Sequence, residues 1–363
     1  MKIKIDAIDT LFFKDGKPFS MGEETWADGI FPPPPSVIYG AISSSMLSNN
    51  PELFNKLGRE FDFDDLKITN IFYRIKNTSY YPLPLDFVYR KNKTAREIND
   101  EKYDRKYKVS LLKREFSHSL SSLNREIKIV TADEEVETLS NAMISESDLN
   151  NYLSGYIDDE IKCLILDDYF LTESKVGIGR NDVTHTTEES KLYRVGMRRP
   201  TDFSIFVELD DNENIKELTK FIKLGAEGKV ARISNPDLSN YLNDISGIDN
   251  GKFKLYLQTP SFFEKGWLPS WIDKKTMKGK IDNLELELLT AYVGKPISIG
   301  GFDMLNKKPK AMRKAVPAGS VYYFKILSGD FEQAKNLLNN RSISEFDSEK
   351  YGYGKTLIGV YNE

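Results

Sequence analysis

From residue 252 onward the apolar residues change period in a set order, and that order admits very few folds. "KFKLYLQT" alternates as a strand, "LELELLTAYVG" and "GSVYYFKIL" supply two more, "DFEQAKNLLNN" has helical spacing, and "KTLIGVYN" closes with a strand. With helical or loop material around Trp271 after the first strand, this is the split βαβ, or ferredoxin-like, order. The first half offers the same series. "MKIKIDAIDTLFF" reads as a strand and "KDGKPF" as a turn. Four prolines then lead to a helix capped at Ser36 and running to about Leu47. "LKITNIFYRIKN" and "DFSIFVELD" are strands, "NENIKELTKFIKLGAEGK" reads as a helix ending at glycine, and "VARIS" is a strand.

The expected class is therefore α+β: two tandem ferredoxin-like (RRM-like, βαββαβ) domains, residues 1–235 and 251–363, joined by a linker at 236–250. Residues 90–160 are charged and poor in periodicity, so they read as an insertion in the first domain. "SYYPLPLDFVYR" before them is extended, with prolines that suit an edge or a loop, and "IKCLILDDYF" after them is a buried strand.

Composition narrows the function classes. The 363 residues are 40% hydrophobic and 29% charged, which suits a globular protein with a substantial core. A lone cysteine, Cys163, offers neither a disulfide framework nor a cysteine metal site, and two histidines are too few for a His-based one. The amino terminus lacks the apolar block of a signal peptide, and no stretch has the length and apolarity to span a bilayer, so a cytoplasmic location is expected. The net charge of −4 hides segregation. Residues 90–114 carry ten Lys/Arg against four Asp/Glu, residues 302–316 five against one, and residues 175–199 six against three. One basic and one acidic surface would serve a polyanion and a protein partner at once.

Motifs for nucleotide chemistry fail on inspection. Gly177-x-Gly179-x-x-Asp182 has an acid where the dinucleotide fingerprint needs a third glycine. "GYGKT" ends like a P-loop, but Glu349 stands where the first glycine belongs and the following segment is strand-like. Asp167 and Asp168 are adjacent on a strand and diverge, so they do not form a cation site. What recurs is glycine beside a cation or an aromatic ring: "GIGR", "GAEGK", "SIGGFDMLNKKPKAMRK" and "KYGYGK". Glycine admits close backbone approach to phosphate, and aromatic rings stack on bases. The candidate RNA contacts are therefore Gly177, Gly179, Arg180, His185, Arg194, Arg198, Arg199 and Lys229 in the middle of the chain. Gly300, Gly301, Lys307, Lys308, Lys310, Arg313 and Lys314 form a second set, and Tyr351 and Tyr353 a third, with Phe302 a further ring able to stack.

Three segments, "DTLFFKDGKPF", "GIGRNDVTHTTEESKLYRVGMRRP" and "SIGGFDMLNKKPKAMRKAVPAGSVYYF", resemble subunit three of the Cmr complex, the Cas-five-like RAMP-superfamily protein of type III-B CRISPR effectors. The terminal "YGYGKTLIGVY" is similar to the glycine-rich loop of RAMP proteins. The resemblance implies a non-catalytic subunit without cofactor or metal. It would grip the crRNA 5′ handle, dock on the large polymerase/cyclase-like subunit, neighbour the RAMP backbone subunits and meet target RNA indirectly. The rival expectation is a metal-independent RAMP endoribonuclease with His185 as base. A third is a protein-binding scaffold that uses its acidic face.

Overall fold

The computed structural model describes residues 1–14, 26–49, 66–90, 106–112, 117–118, 128–129, 135–156, 160–180, 184, 186–210, 218–236, 242, 245, 251–303 and 308–361. Two sheets organise them. Across the larger, eleven strands run in the order Phe221–Lys223, Val230–Ser234, Lys2–Ala7, Phe203–Leu209, Ile68–Ile75, Thr78–Pro82, Ala142–Ser145, Ile161–Ile165, Tyr107–Leu111, Phe87–Arg90 and Val136–Glu137. All neighbours are antiparallel.

Lys2–Ala7, Ile68–Ile75, Phe203–Leu209 and Val230–Ser234, numbered first to fourth along the chain, lie side by side as fourth, first, third, second. The smaller sheet repeats that arrangement with Thr356–Val360, Lys252–Leu257, Val321–Ser328 and Leu284–Tyr292, and Lys278–Ile281 pairs on beyond the last. Helix Phe331–Leu338 joins its third and fourth strands, opened by a capping box in which Asp330 accepts from the Gln333 amide at 2.8 Å. Between its first and second strands, residues 258–277 form turns and bridges rather than a helix. Pro260, Gly266 and Pro269 fall within that stretch and break any helical run.

Three sequence expectations change. Helix Pro35–Asn49 begins one residue before Ser36: Pro35 takes the first position, where its missing N–H costs nothing, and the Ser36 hydroxyl bonds Tyr353 Oη at 2.9 Å instead of capping. Within the expected helix at 212–229, Phe221–Lys223 is a strand. Phe221 and Lys223 are exposed while Ile222 is buried, and Gly225 (φ +83), Glu227 (φ 63) and Gly228 (φ 64) turn the chain back. A Cβ on Gly225 would lie 2.6 Å from the Phe12 carbonyl oxygen, so only glycine fits that corner. Residues 211–217 and most of the 14–19 turn lie outside the described residues.

The third change concerns the insertion, which occupies everything between Ile75 and Phe203 rather than 90–160 alone. Its strands Thr78–Pro82, Phe87–Arg90, Tyr107–Leu111, Val136–Glu137, Ala142–Ser145 and Ile161–Ile165 extend the large sheet. Helix Glu146–Leu153 within the insertion is capped by Ser145, whose hydroxyl accepts from the Asp148 amide at 3.2 Å. Ile144, Leu149 and Tyr152 are among the most buried side chains of the core. Eight helical residues show too little period to be read from sequence.

Alternation along the large sheet buries both of its faces. Ile71 and Tyr73 pack on one side with helix Pro35–Asn49, while Phe72 faces the other. Ile205, Val207 and Phe206 divide in the same way. On the second side Phe72, Phe206, Ile144 and Cys163 share one cluster with Phe253, Leu255, Tyr323 and Ile358 of the small sheet. The two halves thus share this core cluster, and Ile245, in the expected linker, is buried in it. Polar contacts pin the seam: fully buried Asp86 accepts from Tyr152 Oη at 2.7 Å and from Tyr323 Oη. Gln258 donates to the Ile71 carbonyl at 2.8 Å and to Asn70 Oδ1 at 2.6 Å. Tyr256 Oη donates to the Pro82 carbonyl at 2.7 Å.

Candidate nucleic-acid interface

The "KVGIGR" stretch ends strand Phe170–Arg180, which pairs with Thr187–Pro200 as a long antiparallel hairpin, and Trp26–Asp28 joins in parallel as a third strand. Gly177 sits opposite Tyr193, whose ring lies across it, so a Cβ at 177 would overlap the ring. This glycine admits an aromatic ring, not a phosphate. Val176 and Ile178 on the same arm are exposed. Gly179 sits in that strand at the register shift between Ile178 and Arg180; the Arg180 side chain falls outside the described residues, as does His185 entirely.

Of the arginines beyond, Arg194 is exposed. Arg198 donates to Thr172 Oγ1 at 3.0 Å and lies 3.9 Å from the Asp167 carboxylate. Arg199 bridges Glu173 and Asp9, and Lys229 Nζ lies 2.7 Å from Asp9 Oδ2. The hydrogen bond from Lys229 comes first among the causes that lower the Asp9 carboxyl to about 2, with the Thr10 amide next. Arg199 and Lys229 are committed to these acids, so their charge is balanced before any polyanion arrives.

The second basic set stands free of such neutralisation in part. Ile297–Ile299 pairs with Arg313–Ala315, and Phe302–Asp303 with Lys308–Pro309, so the segment leaves the small sheet as a narrow ribbon. Lys308, Lys310, Arg313 and Lys314 are all exposed on it. Lys314 Nζ bonds Ser298 Oγ at 2.7 Å, and the Lys310 amide bonds the Gly301 carbonyl at 2.9 Å, which ties the ribbon's two arms. Met312 Sδ lies over Gly300 where a Cβ would stand, so a side chain there would displace this exposed methionine, whereas Gly301 is open to solvent. Lys307 and the Phe302 side chain lie outside the described residues.

A cleft of about 1360 Å³ runs beneath this ribbon. Ser298 and Met312 of the ribbon line it, with Phe31 through Pro35, Gln258 and Thr259, and Asp167 and Arg198 stand on its wall. Arg198 and the ribbon, about a hundred residues apart, therefore meet at one opening. No sequence pattern signalled this, because the proline wall and the seam residue Gln258 acquire meaning only once the halves pack together.

The third set corrects the sequence reading outright. Tyr353 is 2% exposed, its ring 4.8 Å from that of Phe262 and its hydroxyl on Ser36, so it has no face for a base. Tyr351 is half-buried edge-on against Tyr39. Gly352 (φ +89) faces Ile68, whose Cγ2 would lie 2.8 Å from a Cβ. "KYGYGK" is a buried joint between the halves, and burial holds the Lys355 ammonium down to about 8 while its Nζ donates to the Asn340 carbonyl at 2.9 Å.

A family model described as CRISPR-associated protein (Cas_Cmr3) matches residues 3–361, which sets the class as a subunit of type III CRISPR-Cas effectors. The chain belongs to that family. No curated protein sequence matches it. Among solved structures it is similar to a chain of "Cryo-EM structure of the Type III-B Cmr-beta bound to cognate target RNA", at 16% identity and TM-score 0.48, covering 89% of this chain and 86% of that one. It is also similar to a chain of "Crystal structure of Csm3-Csm4 subcomplex in the type III-A CRISPR-Cas interference complex", at 15% identity and TM-score 0.40, covering 100% of both. Among the described residues no helix is long and apolar enough to cross a membrane, and no group of three or more His, Cys, Asp or Glu could hold a metal ion.

Proposed function

We propose that the chain is a non-catalytic RNA-holding subunit of a cytoplasmic type III-B effector. It grips the crRNA 5′ handle with the 297–314 ribbon and the cleft beneath it, and docks on the large polymerase/cyclase-like subunit beside RAMP neighbours. Target RNA is met indirectly, through the paired guide. Each half is read as a ferredoxin-like unit: the first has residues 76–202 inserted after its second strand, and the second has 258–277 in place of its first helix.

One observation carries this reading: four exposed cations on a single ribbon, Lys308, Lys310, Arg313 and Lys314, over a cleft that Arg198 also lines. Phosphate contacts release condensed counterions, so affinity for single-stranded RNA falls with salt by roughly 0.7 log units per log unit for each contact. In a filter-binding titration with crRNA, replacing Lys308, Lys310 and Arg313 by alanine should flatten the salt slope by roughly 2 and leave the fold intact. An unchanged slope moves these residues to a protein interface. Repeat RNA incubated with the wild type should stay whole, and specific cutting lost in His185→Ala would establish the endoribonuclease instead.

A further inference from the structure

Beside the ribbon stands an aromatic side chain in an unusual position. Phe346 is 48% exposed, and the Arg313 guanidinium carbon lies 4.3 Å from its ring centroid. Its backbone is left-handed at φ 63, and the next residue, Asp347, is left-handed too at φ 52. Aspartate tolerates that region, but a bulky residue enters it only under strain. The loop is pinned on either side of the ring. The Glu345 carboxylate accepts the amides of Glu264 at 2.6 Å and Ser270 at 2.7 Å, its own amide bonds the Phe262 carbonyl at 2.9 Å, and Ser344 and Ser348 join hydroxyls at 2.7 Å.

A large apolar ring is thus held outward on a rigid, strained support, where glycine or asparagine would cost less and water meets half of its surface. Its neighbour is a cationic plane on the most basic exposed ribbon of the described chain. Aromatic rings and guanidinium planes are the two surfaces on which unpaired bases stack. We propose that Phe346 and Arg313 form a stacking platform for one unpaired nucleobase of a single strand. The Arg313 guanidinium edge, with Lys308, Lys310 and Lys314, holds the adjoining phosphates. This rests on the RNA-binding reading of the ribbon, and adds to it a site for a base.

The strain supplies a test that a structural role would fail. The probe is a labelled single-stranded decaadenylate, titrated by anisotropy against the full-length chain, with melting temperature measured in parallel. Phe346→Gly should weaken binding about tenfold, leave the salt slope unchanged, and keep or raise the melting temperature because the left-handed backbone is relieved. Phe346→Trp should bind at least as tightly as the wild type. If the wild type binds and the ribbon alanines flatten its slope, yet Phe346→Gly binds equally well, the platform is wrong and the ribbon reading survives. If the wild type shows no salt-dependent binding, both fall. A Phe346→Gly protein that melts earlier and is not matched by a recovered Phe346→Trp assigns the ring to folding and overturns the proposal. So does normal RNA affinity with lost co-elution of the large subunit, which would place the ring in a protein interface.

Discussion

Residues 298–314 and 350–356 share a composition, glycines set among rings and cations, and the fold puts them to opposite uses. Lys310 and Arg313 stand exposed on a ribbon that leaves the small sheet, whereas Tyr353 and Lys355 are 2% and 8% exposed between the two halves. Their glycines differ in kind as well. Gly301 faces solvent, while Gly352 and Gly354 are left-handed and abut Ile68 and Ser344. A glycine beside a cation marks a phosphate site only where the backbone has room for phosphate. In the buried segment other protein atoms already fill that room.

The comparison breaks hardest at Tyr353. Removing this buried ring leaves a cavity against Phe262 and strands the Ser36 hydroxyl, so Tyr353→Ala should lose about 3–5 kcal/mol of stability by urea denaturation. The RNA affinity of the folded fraction should stay normal. Tyr353→Phe, which keeps the ring, should lose only about 1 kcal/mol. A stable Tyr353→Ala protein with impaired RNA binding would restore the stacking role that burial denies it.

The ribbon should answer in the opposite sense. Its alanine triple variant should move stability by about 0.5 kcal/mol or less, since exposed side chains carry little folding energy, while binding collapses at moderate salt. If it unfolds the protein instead, the two segments are alike after all.

How much of this was legible in the sequence follows from the same contrast. Strands such as Lys252–Leu257 and Val321–Ser328, and helix Phe331–Leu338, announce themselves because alternation or helical spacing is local information. The fused core does not, because Phe72 and Ile71 look equally apolar and only the packed sheet sends them to different partners. The hairpin at 170–200 was masked by its glycines, which suggest a turn until Tyr193 is seen lying over Gly177. Asp86 illustrates the other blind spot: one carboxylate after "PLPL" gives no hint that two tyrosines from distant segments converge on it. The ribbon's cations were visible as a charge run, but Phe346, thirty-odd residues downstream, had no periodic or motif signal of its own.

The finest test of the contrast is a titration. Burial lowers the Lys355 ammonium to about 8, partly offset by the Glu208 carboxylate and deepened by Arg341 and Lys67. In the unfolded chain a lysine titrates near 10.4, so between about 8 and 10.4 the unfolded state holds more protons than the folded one. Stability therefore rises with pH across that interval, and the cost of burying the charge applies in full below it. With folded and unfolded values of about 8 and 10.4, the expected gain from pH 7.5 to 9.5 is about 2 kcal/mol. Readings stop at pH 9.5 because tyrosines of the unfolded chain ionise near 10 while burial keeps Tyr73, Tyr81, Tyr152, Tyr256, Tyr322 and Tyr353 protonated in the fold, which pulls stability the other way. Lys355→Met removes the titrating group and should flatten the rise, whereas Lys310→Met on the ribbon should leave it untouched. An identical pH profile for Lys355→Met and wild type would mean that this ammonium is as well solvated as those of the ribbon.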